Sequence, residues 1–148
     1  MTAGTPSGTN VAPRTGPERD SMTELEPSAA ARVLVVDDEE AIRVLVVRLL
    51  RRAGLEAVSA VDGQDAIEKL DAGTFDAIVL DLMMPRVDGF GVIEHLINTN
   101  PDMMEKIIVT TAFPKTAAKE RLHHLCCVLS KPFDVNELIA LVRECTER

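Results

Sequence analysis

The sequence has no tryptophan or tyrosine, only four phenylalanines among 148 residues, and no long apolar run. Its apolar runs are only a few residues long, whereas about 20 consecutive apolar residues are needed to cross a bilayer. No apolar stretch typical of a secretory signal stands near Met1. These absences argue against a membrane protein and predict a cytoplasmic one.

Positive charge is also scarce. The chain has 16 lysines and arginines against 24 aspartates and glutamates, for a net charge of −8. Proteins that bind nucleic acid directly need a basic face, so this balance argues against that class. The cysteines are few as well: Cys126, Cys127 and Cys145 show no CxxC spacing, and we expect reduced thiols without a metal.

The first 31 residues lack periodic apolar positions and are rich in Thr, Pro, Gly, Ser and Ala. Such a segment buries too little apolar surface to offset the entropy lost on ordering. We therefore expect a disordered N-terminal tail over residues 1–31 and a folded domain over residues 32–148.

Within the predicted domain, short apolar strands alternate with amphipathic helices. The predicted strands cover residues 33–36, 55–60, 77–80, 107–110 and 128–129. The predicted helices cover residues 39–53, 63–70, 91–98, 116–125 and 135–145. This alternation predicts an α/β fold with a five-stranded parallel sheet covered on both faces.

Polar residues stand where four of the predicted strands end: Asp37 with Asp38, Asp81, Thr111 and Lys131. The carboxyl ends of parallel strands share one edge of the sheet, and ligands bind at that edge. Three carboxylates brought together there would repel one another unless a hard cation such as Mg²⁺ were bound. On their own, Asp37 and Asp38 would more simply cap the following helix.

The whole set of residues suits phosphoryl transfer, in which positioning and charge neutralisation dominate. Asp81 would be the nucleophile, and Asp37 and Asp38 would hold the cation. Thr111 would donate its hydroxyl hydrogen, and Lys131 would supply a fixed positive charge.

Five motifs in this order resemble the receiver domain of two-component response regulators. They are Asp37-Asp38, Asp81, the loop from Met84-Pro85 to Asp88-Gly89, Thr111-Ala112, and Lys131-Pro132-Phe133. The resemblance covers residues 32 to about 145. It implies a flavodoxin-like, doubly wound sheet with strand order 2-1-3-4-5 and five helices.

The resemblance also implies a role for each site residue. Asp81 would be the phosphoacceptor, Asp38 the main Mg²⁺ ligand and Asp37 a ligand through water. The backbone carbonyl of Met83 would complete the protein ligands. Thr111 would act as the switch hydroxyl and Lys131 as the phosphoryl anchor, with a cis peptide bond before Pro132.

A stand-alone receiver of this kind would take phosphoryl from a sensor histidine kinase or a histidine phosphotransfer protein. It would then switch a contact with a downstream protein, catalysing only its own phosphorylation and dephosphorylation. Receivers usually carry an aromatic residue three positions before the lysine, and here that residue is Val128. A phosphorylation-independent interaction module is therefore the alternative.

Two enzyme-like or cofactor-binding alternatives are disfavoured. Aspartyl-phosphate phosphatases usually place a second acid two residues after the nucleophile, where this chain has Met83. A flavodoxin-like FMN protein would need a Gly/Ser/Thr-rich phosphate loop after the first strand, which is absent.

The first predicted helix carries apolar residues outside its expected core stripe. With Ile42, Leu45, Val46, Leu49 and Leu50 directed to the core, Val44 and Val47 fall on the opposite side. We expect these two valines to be exposed and to dock a helical partner, which in receivers is the histidine kinase.

Overall fold

The computed structural model describes residues 30–84, 86–112 and 127–147, with only the backbone described at Cys127. Residues 1–29 of the predicted tail and the predicted helix over residues 116–125 lie outside this range.

The five predicted strands form one parallel sheet. They are β1 (Arg32–Val36), β2 (Glu56–Ala60), β3 (Ala77–Asp81), β4 (Ile107–Thr111) and β5 (Cys127–Ser130). Their order across the sheet is β2-β1-β3-β4-β5, which confirms the predicted flavodoxin-like arrangement. Every neighbouring pair of strands is parallel.

Four of the five predicted helices fall within the described residues. They are α1 (Glu40–Arg52), α2 (Gly63–Ala72), α3 (Gly89–Thr99) and α4 (Val135–Thr146). A 3₁₀ helix over Pro101–Lys106, which the sequence did not indicate, precedes β4. None of the described helices is long and apolar enough to span a membrane.

Helices cover both faces of the sheet and divide the core in two. On one face, Leu34 and Leu80 pack in a cluster with Ala66 of α2 and Val92 of α3. On the other face, alternate strand residues pack with Val46 and Leu50 of α1 and Leu138 and Val142 of α4. The central strands are therefore continuously apolar, as expected of strands buried on both sides.

The predicted orientation of α1 is partly wrong. Val44 is exposed as predicted, at 43%, but Val47 is buried at 9% and Leu45 is exposed at 47%. At 100° per residue, the buried arc is rotated by roughly 80° from the predicted one. Apolar residues occur on several sides of the helix, interspersed with charged ones, and the helix packs against β2 as well as β1. Its sequence periodicity therefore did not identify the buried side.

Cys145 also differs from expectation. It lies fully buried on α4 and takes part in a disulfide bond rather than remaining a reduced thiol. Whether two cysteines can be bridged depends on the separation and direction of their side chains in the fold, which sequence spacing does not reveal.

Candidate functional site

Three acidic residues meet at the carboxyl-terminal edge of the sheet. β1 is followed by Asp37 and Asp38, and the neighbouring β3 ends at Asp81. Because Val36 of β1 is in register with Leu80 of β3, the residues that follow them lie side by side. Carboxylate oxygens of Asp37, Asp38 and Asp81 all lie within 4.8 Å of one another.

The acidic cluster is buried on one side and open on the other. Asp37 and Asp81 are only 4% and 3% exposed, whereas Asp38 is exposed to solvent. The Asp37 carboxylate accepts a hydrogen bond from the Glu39 backbone N–H at 2.9 Å, which fixes its orientation at the entrance to α1. Solvent and ligands can therefore approach the cluster from the side of Asp38.

Lys131 reaches this cluster from the edge strand β5, which is separated from β3 by β4. It follows β5 directly, and its Nζ donates a hydrogen bond to Oδ2 of Asp37 at 3.1 Å. The same Nζ lies 3.4 Å from Oδ2 of Asp81. The Lys131 backbone N–H donates to the carbonyl of Thr111 at 2.8 Å, and the peptide bond to Pro132 is cis, as predicted.

Thr111 ends the strand that lies between those leading to Asp81 and Lys131. It is the last residue of β4 and is fully buried. β4 runs between β3, which ends at Asp81, and β5, which leads to Lys131. The fold thus places Thr111 at the same sheet edge as both residues.

Charge at the site is incompletely balanced. Burial raises the pKa of Asp81 to about 6, and the nearby Asp37 carboxylate also raises it. The backbone N–H of Met83, which donates to Asp81 Oδ1 at 3.1 Å, and the charge of Lys131 act in the lowering direction. Burial and the charge of Asp37 thus outweigh the contacts that favour the ionised Asp81, and the cluster holds three carboxylates beside one lysine.

The pKa of Lys131 is affected by opposing causes. Burial alone would lower it, but the hydrogen bond to Asp37 and the charges of Asp81 and Asp37 outweigh that effect and raise it. Lys131 is therefore a permanent cation at neutral pH, as an anchor for an anionic group must be.

The donor atoms of the cluster fit Mg²⁺. All three side chains offer carboxylate oxygens, which hard divalent cations prefer, and the excess negative charge favours a cation. Met83 is adjacent, since its N–H contacts Asp81 and its side chain is half exposed. The use of its carbonyl as a ligand stays a prediction.

Two glycines allow the loop between β3 and α3 to pack closely against neighbouring backbone, which the sequence did not predict. A Cβ on Gly89 would lie 2.6 Å from the carbonyl oxygen of Asp81. A Cβ on Gly63, at the start of α2, would lie 1.9 Å from the carbonyl oxygen of Val87. The C-terminal end of the loop that carries Met83 is thus packed against both the end of β3 and the start of α2.

An ion pair joins the same loop to α2. Arg86, in the left-handed region at φ 63°, pairs with Asp62, the residue that caps α2 by accepting from the Asp65 N–H at 2.8 Å. That backbone hydrogen bond and the Arg86 charge lower the pKa of Asp62 despite its burial. The Asp-Gly pairs at 62–63 and 88–89 were the only sequence signals of this packing, and both read simply as turns or helix starts.

Val128 occupies a core position in β5. It is 3% exposed, lies beside Val109 of β4 and belongs to the same apolar cluster as Leu80. The position that is usually aromatic in receivers is therefore filled here by a buried aliphatic side chain.

Known proteins share this arrangement. The family model of the response regulator receiver domain matches residues 33–143. The response regulator MprA of Mycolicibacterium vanbaalenii is 38% identical over 121 residues, which are 79% of this chain and 51% of that protein. MprA of Mycobacterium tuberculosis is 37% identical over 80% of this chain and 52% of its own length. The chain thus spans about half the length of these relatives.

Solved structures of receiver domains agree with the fold. The receiver domain of a Francisella response regulator superposes with a TM-score of 0.74 at 29% identity, covering 80% of this chain and 98% of that one. The response regulator TrrA of Thermotoga maritima, solved in complex with Mg²⁺-BeF, gives a TM-score of 0.70 at 30% identity over 78% of this chain and 98% of its own. The chain belongs to the response regulator receiver domain family of two-component systems.

Proposed function

We propose that this protein accepts a phosphoryl group on Asp81 in a Mg²⁺-dependent reaction in the cytoplasm. The donor is the phosphohistidine of a sensor histidine kinase or of a histidine phosphotransfer protein. The observation that carries the proposal is the meeting of Asp37, Asp38 and Asp81 with the Nζ of Lys131 at one sheet edge. The TrrA structure, which holds Mg²⁺-BeF, supports the same chemistry in a relative.

In the transfer step, a carboxylate oxygen of Asp81 forms a bond to phosphorus. The bond between phosphorus and the imidazole nitrogen of the donor breaks, and the imidazole leaves with its electron pair. Because the pKa of Asp81 is about 6, its carboxylate is mainly ionised and nucleophilic at pH 7. Lys131 contacts one phosphoryl oxygen, and the hydroxyl of Thr111 donates a hydrogen bond to another. Both residues thereby stabilise the negative charge of the incoming phosphoryl group.

Asp37, Asp38, Asp81 and the carbonyl of Met83 would hold the metal ion. When bound, Mg²⁺ supplies positive charge that offsets the carboxylates and the incoming phosphoryl oxygens. Without the ion, Lys131 offsets part of this negative charge, since it contacts two of the three acids.

The donor protein would dock on α1 beside the site. A groove of about 380 Å³ is lined by Ile42 and the exposed Leu45 of α1 together with Pro132 and Phe133. Lys131 lines the same groove, so a helix seated there lies next to the phosphoacceptor. The exposed apolar residue of this surface is Leu45 and not Val47, which corrects the predicted docking face.

Phosphorylation would change a contact with a downstream protein. Beyond its own phosphorylation and dephosphorylation, we propose no enzymatic turnover of another substrate. The acidity of the chain, with its net charge of −8, argues against direct binding of nucleic acid.

The proposal is tested by incubating the protein with a small phosphodonor and Mg²⁺ and measuring its intact mass. We expect a single phosphate adduct that is lost in Asp81→Asn and on chelation of Mg²⁺. Asp102→Asn is the matched control, because Asp102 is an exposed aspartate on the 3₁₀ helix that precedes β4, at the opposite edge of the sheet from the cluster.

The adduct should also form in the control variant. It should survive at neutral pH and be lost in base, since acyl phosphates hydrolyse in base. An unmodified but folded wild-type protein would contradict the proposal and favour a phosphorylation-independent interaction module. An adduct of equal yield in Asp81→Asn would place the phosphoacceptor elsewhere.

A further inference from the structure

The outer face of α1 forms a basic groove on an acidic protein. Arg43, Arg48, Arg51 and Arg52 line it together with Val44 and Ser59, and its volume is about 500 Å³. The residues lining the groove include no carboxylate. It lies toward β2, whereas the proposed docking groove for the phosphodonor faces Phe133.

The charge of this groove is not neutralised from within the described part of the chain. Other basic side chains form ion pairs with carboxylates there: Arg32 with Glu56, Lys69 with Asp65, Arg86 with Asp62, and Lys131 with Asp37. None of the four groove arginines does so among the described residues. A chain with eight excess negative charges thus gathers in one groove four guanidinium groups that have no carboxylate partner among the residues the structure describes.

Two of the arginines are held in place by backbone carbonyls. Arg43 donates to the carbonyl of Asp37 at 2.9 Å, and Arg51 donates to the carbonyl of Ala57 at 2.9 Å. Each uses one nitrogen in this contact, so the remaining N–H groups of the guanidinium are left for a ligand. Arg48 and Arg52 are exposed and one helical turn apart.

The spacing of the arginines selects the class of ligand. At 1.5 Å per residue, Arg43 and Arg52 stand roughly 13 Å apart along the helix axis, too far for one phosphate to bridge. Arginine forks bind phosphate through paired hydrogen bonds, and the volume of the groove falls in the ordinary range for small ligands. We propose that this groove binds a small molecule carrying two or more phosphate groups.

An extended peptide is a poor occupant of the adjoining sheet edge. β2 is an edge strand, but its outward carbonyls at Ala57 and Ser59 already accept hydrogen bonds from Arg51 and Lys69. Addition of a further strand would have to break both contacts. The ligand is therefore expected to lie on the helix side of the groove, against Val44.

The test is calorimetric titration of the full-length protein with tripolyphosphate and with ATP, in EDTA and near-physiological salt. We expect saturable binding of one molecule, weakened about tenfold or more in Arg48→Gln/Arg52→Gln, because charge-assisted hydrogen bonds are lost. Arg48→Lys/Arg52→Lys keeps the net charge but removes the paired geometry, and should also bind more weakly. Tighter binding of ATP than of tripolyphosphate would identify a nucleotide, and equal binding an inorganic polyphosphate.

Two controls separate this groove from general attraction and from the phosphoryl site. Lys106→Gln removes one positive charge elsewhere and should bind as the wild type does, whereas Arg48→Gln should not. Lys131→Ala removes the phosphoryl anchor and should leave binding of tripolyphosphate intact. The proposal would be overturned if wild-type protein showed no saturable binding, or if only Lys131→Ala lost tripolyphosphate binding. It would also be overturned if Lys106→Gln weakened that binding as much as Arg48→Gln, or if a glutamate oligopeptide bound as tightly.

Discussion

In its proposed role as phosphoacceptor, Asp81 must be buried enough to shield an acyl phosphate and yet ionised enough to act as a nucleophile. Its carboxylate is 3% exposed, and burial raises its pKa to about 6. The contacts with the Met83 N–H and Lys131 limit that rise, so the group still loses its proton below neutral pH. Ionisation of Asp81 therefore carries a cost in stability when no cation is bound.

We predict that Asp81→Asn is more stable than the wild type at pH 7.5 in EDTA, by about 1 to 3 kcal/mol. The folded carboxyl has a pKa of about 6 against an ordinary value of 3.8, so the folded state binds more protons between these values. Stability of the wild type therefore falls as pH rises through this window, and the uncharged amide avoids the loss.

Urea unfolding at pH 7.5 and near pH 4 measures the effect. The advantage of Asp81→Asn should shrink toward zero at the lower pH, and Mg²⁺ should stabilise the wild type more than the variant. Asp102→Asn should show no comparable advantage. A variant that is less stable than the wild type in EDTA at pH 7.5 would contradict the prediction.

At the scale of elements, the loop between β3 and α3 depends on α2 for its position. Gly63 allows the first turn of α2 to touch the backbone of Val87, and Asp62 pairs with Arg86 from the same loop. Gly89 likewise allows the start of α3 to approach the carbonyl of Asp81. Three elements therefore fix the segment on which the predicted Met83 ligand lies.

Gly63→Ala is expected to destabilise the protein by about 1 to 3 kcal/mol, because its new Cβ overlaps a backbone oxygen that must move. The higher helix propensity of alanine recovers at most about 1 kcal/mol of this. The displaced loop should also lower the affinity for Mg²⁺ measured by titration.

Gly73→Ala provides the matched control at the other end of α2. Its backbone is extended, and the nearest atom to a new Cβ is a side-chain nitrogen of Arg32 at 3.4 Å, which can yield. Urea unfolding should show a change within about 0.5 kcal/mol for this variant. Equal stability of the two variants would show that the close approach of Gly63 to Val87 does not restrict the side chain at position 63.

At the scale of the whole molecule, the edge of the sheet formed by β2 is protected by basic side chains. β2 forms one edge, and a bare edge strand pairs readily with other chains. Arg51 from α1 and Lys69 from α2 occupy the outward carbonyls of Ala57 and Ser59. Two helices on opposite faces of the sheet thus cover the same edge.

Arg51→Met/Lys69→Met is predicted to associate with increasing concentration, because both edge carbonyls lose their donors. Charge alone would act in the opposite direction, since removing two positive charges makes an already acidic chain more acidic. Sedimentation velocity and light scattering measure the association.

Arg48→Met/Lys106→Met is the control, since it removes the same charge and adds the same two methionines without touching a carbonyl. It should remain as dispersed as the wild type. Association of both double variants to the same extent would attribute the effect to the added apolar surface.

The sequence by itself determined the strand pattern, the parallel sheet and the residues at its functional edge. Short apolar runs ending in Asp37, Asp81 and Lys131 are local features, and the edge at which parallel strands end is fixed by connectivity. The order of the strands and the proposed roles of the site residues came from the family resemblance.

Only the tertiary structure decided which faces of the helices are buried and which backbones touch. The sequence placed Leu45 inside and Val47 outside, because apolar residues occur on several sides of α1 among its arginines and leave more than one possible buried arc until the neighbours are known. The approach of Gly63 to Val87 joins residues distant in the chain, and the disulfide bond at Cys145 depends on how side chains are placed in the fold. Such contacts follow from packing in three dimensions, which local periodicity does not encode.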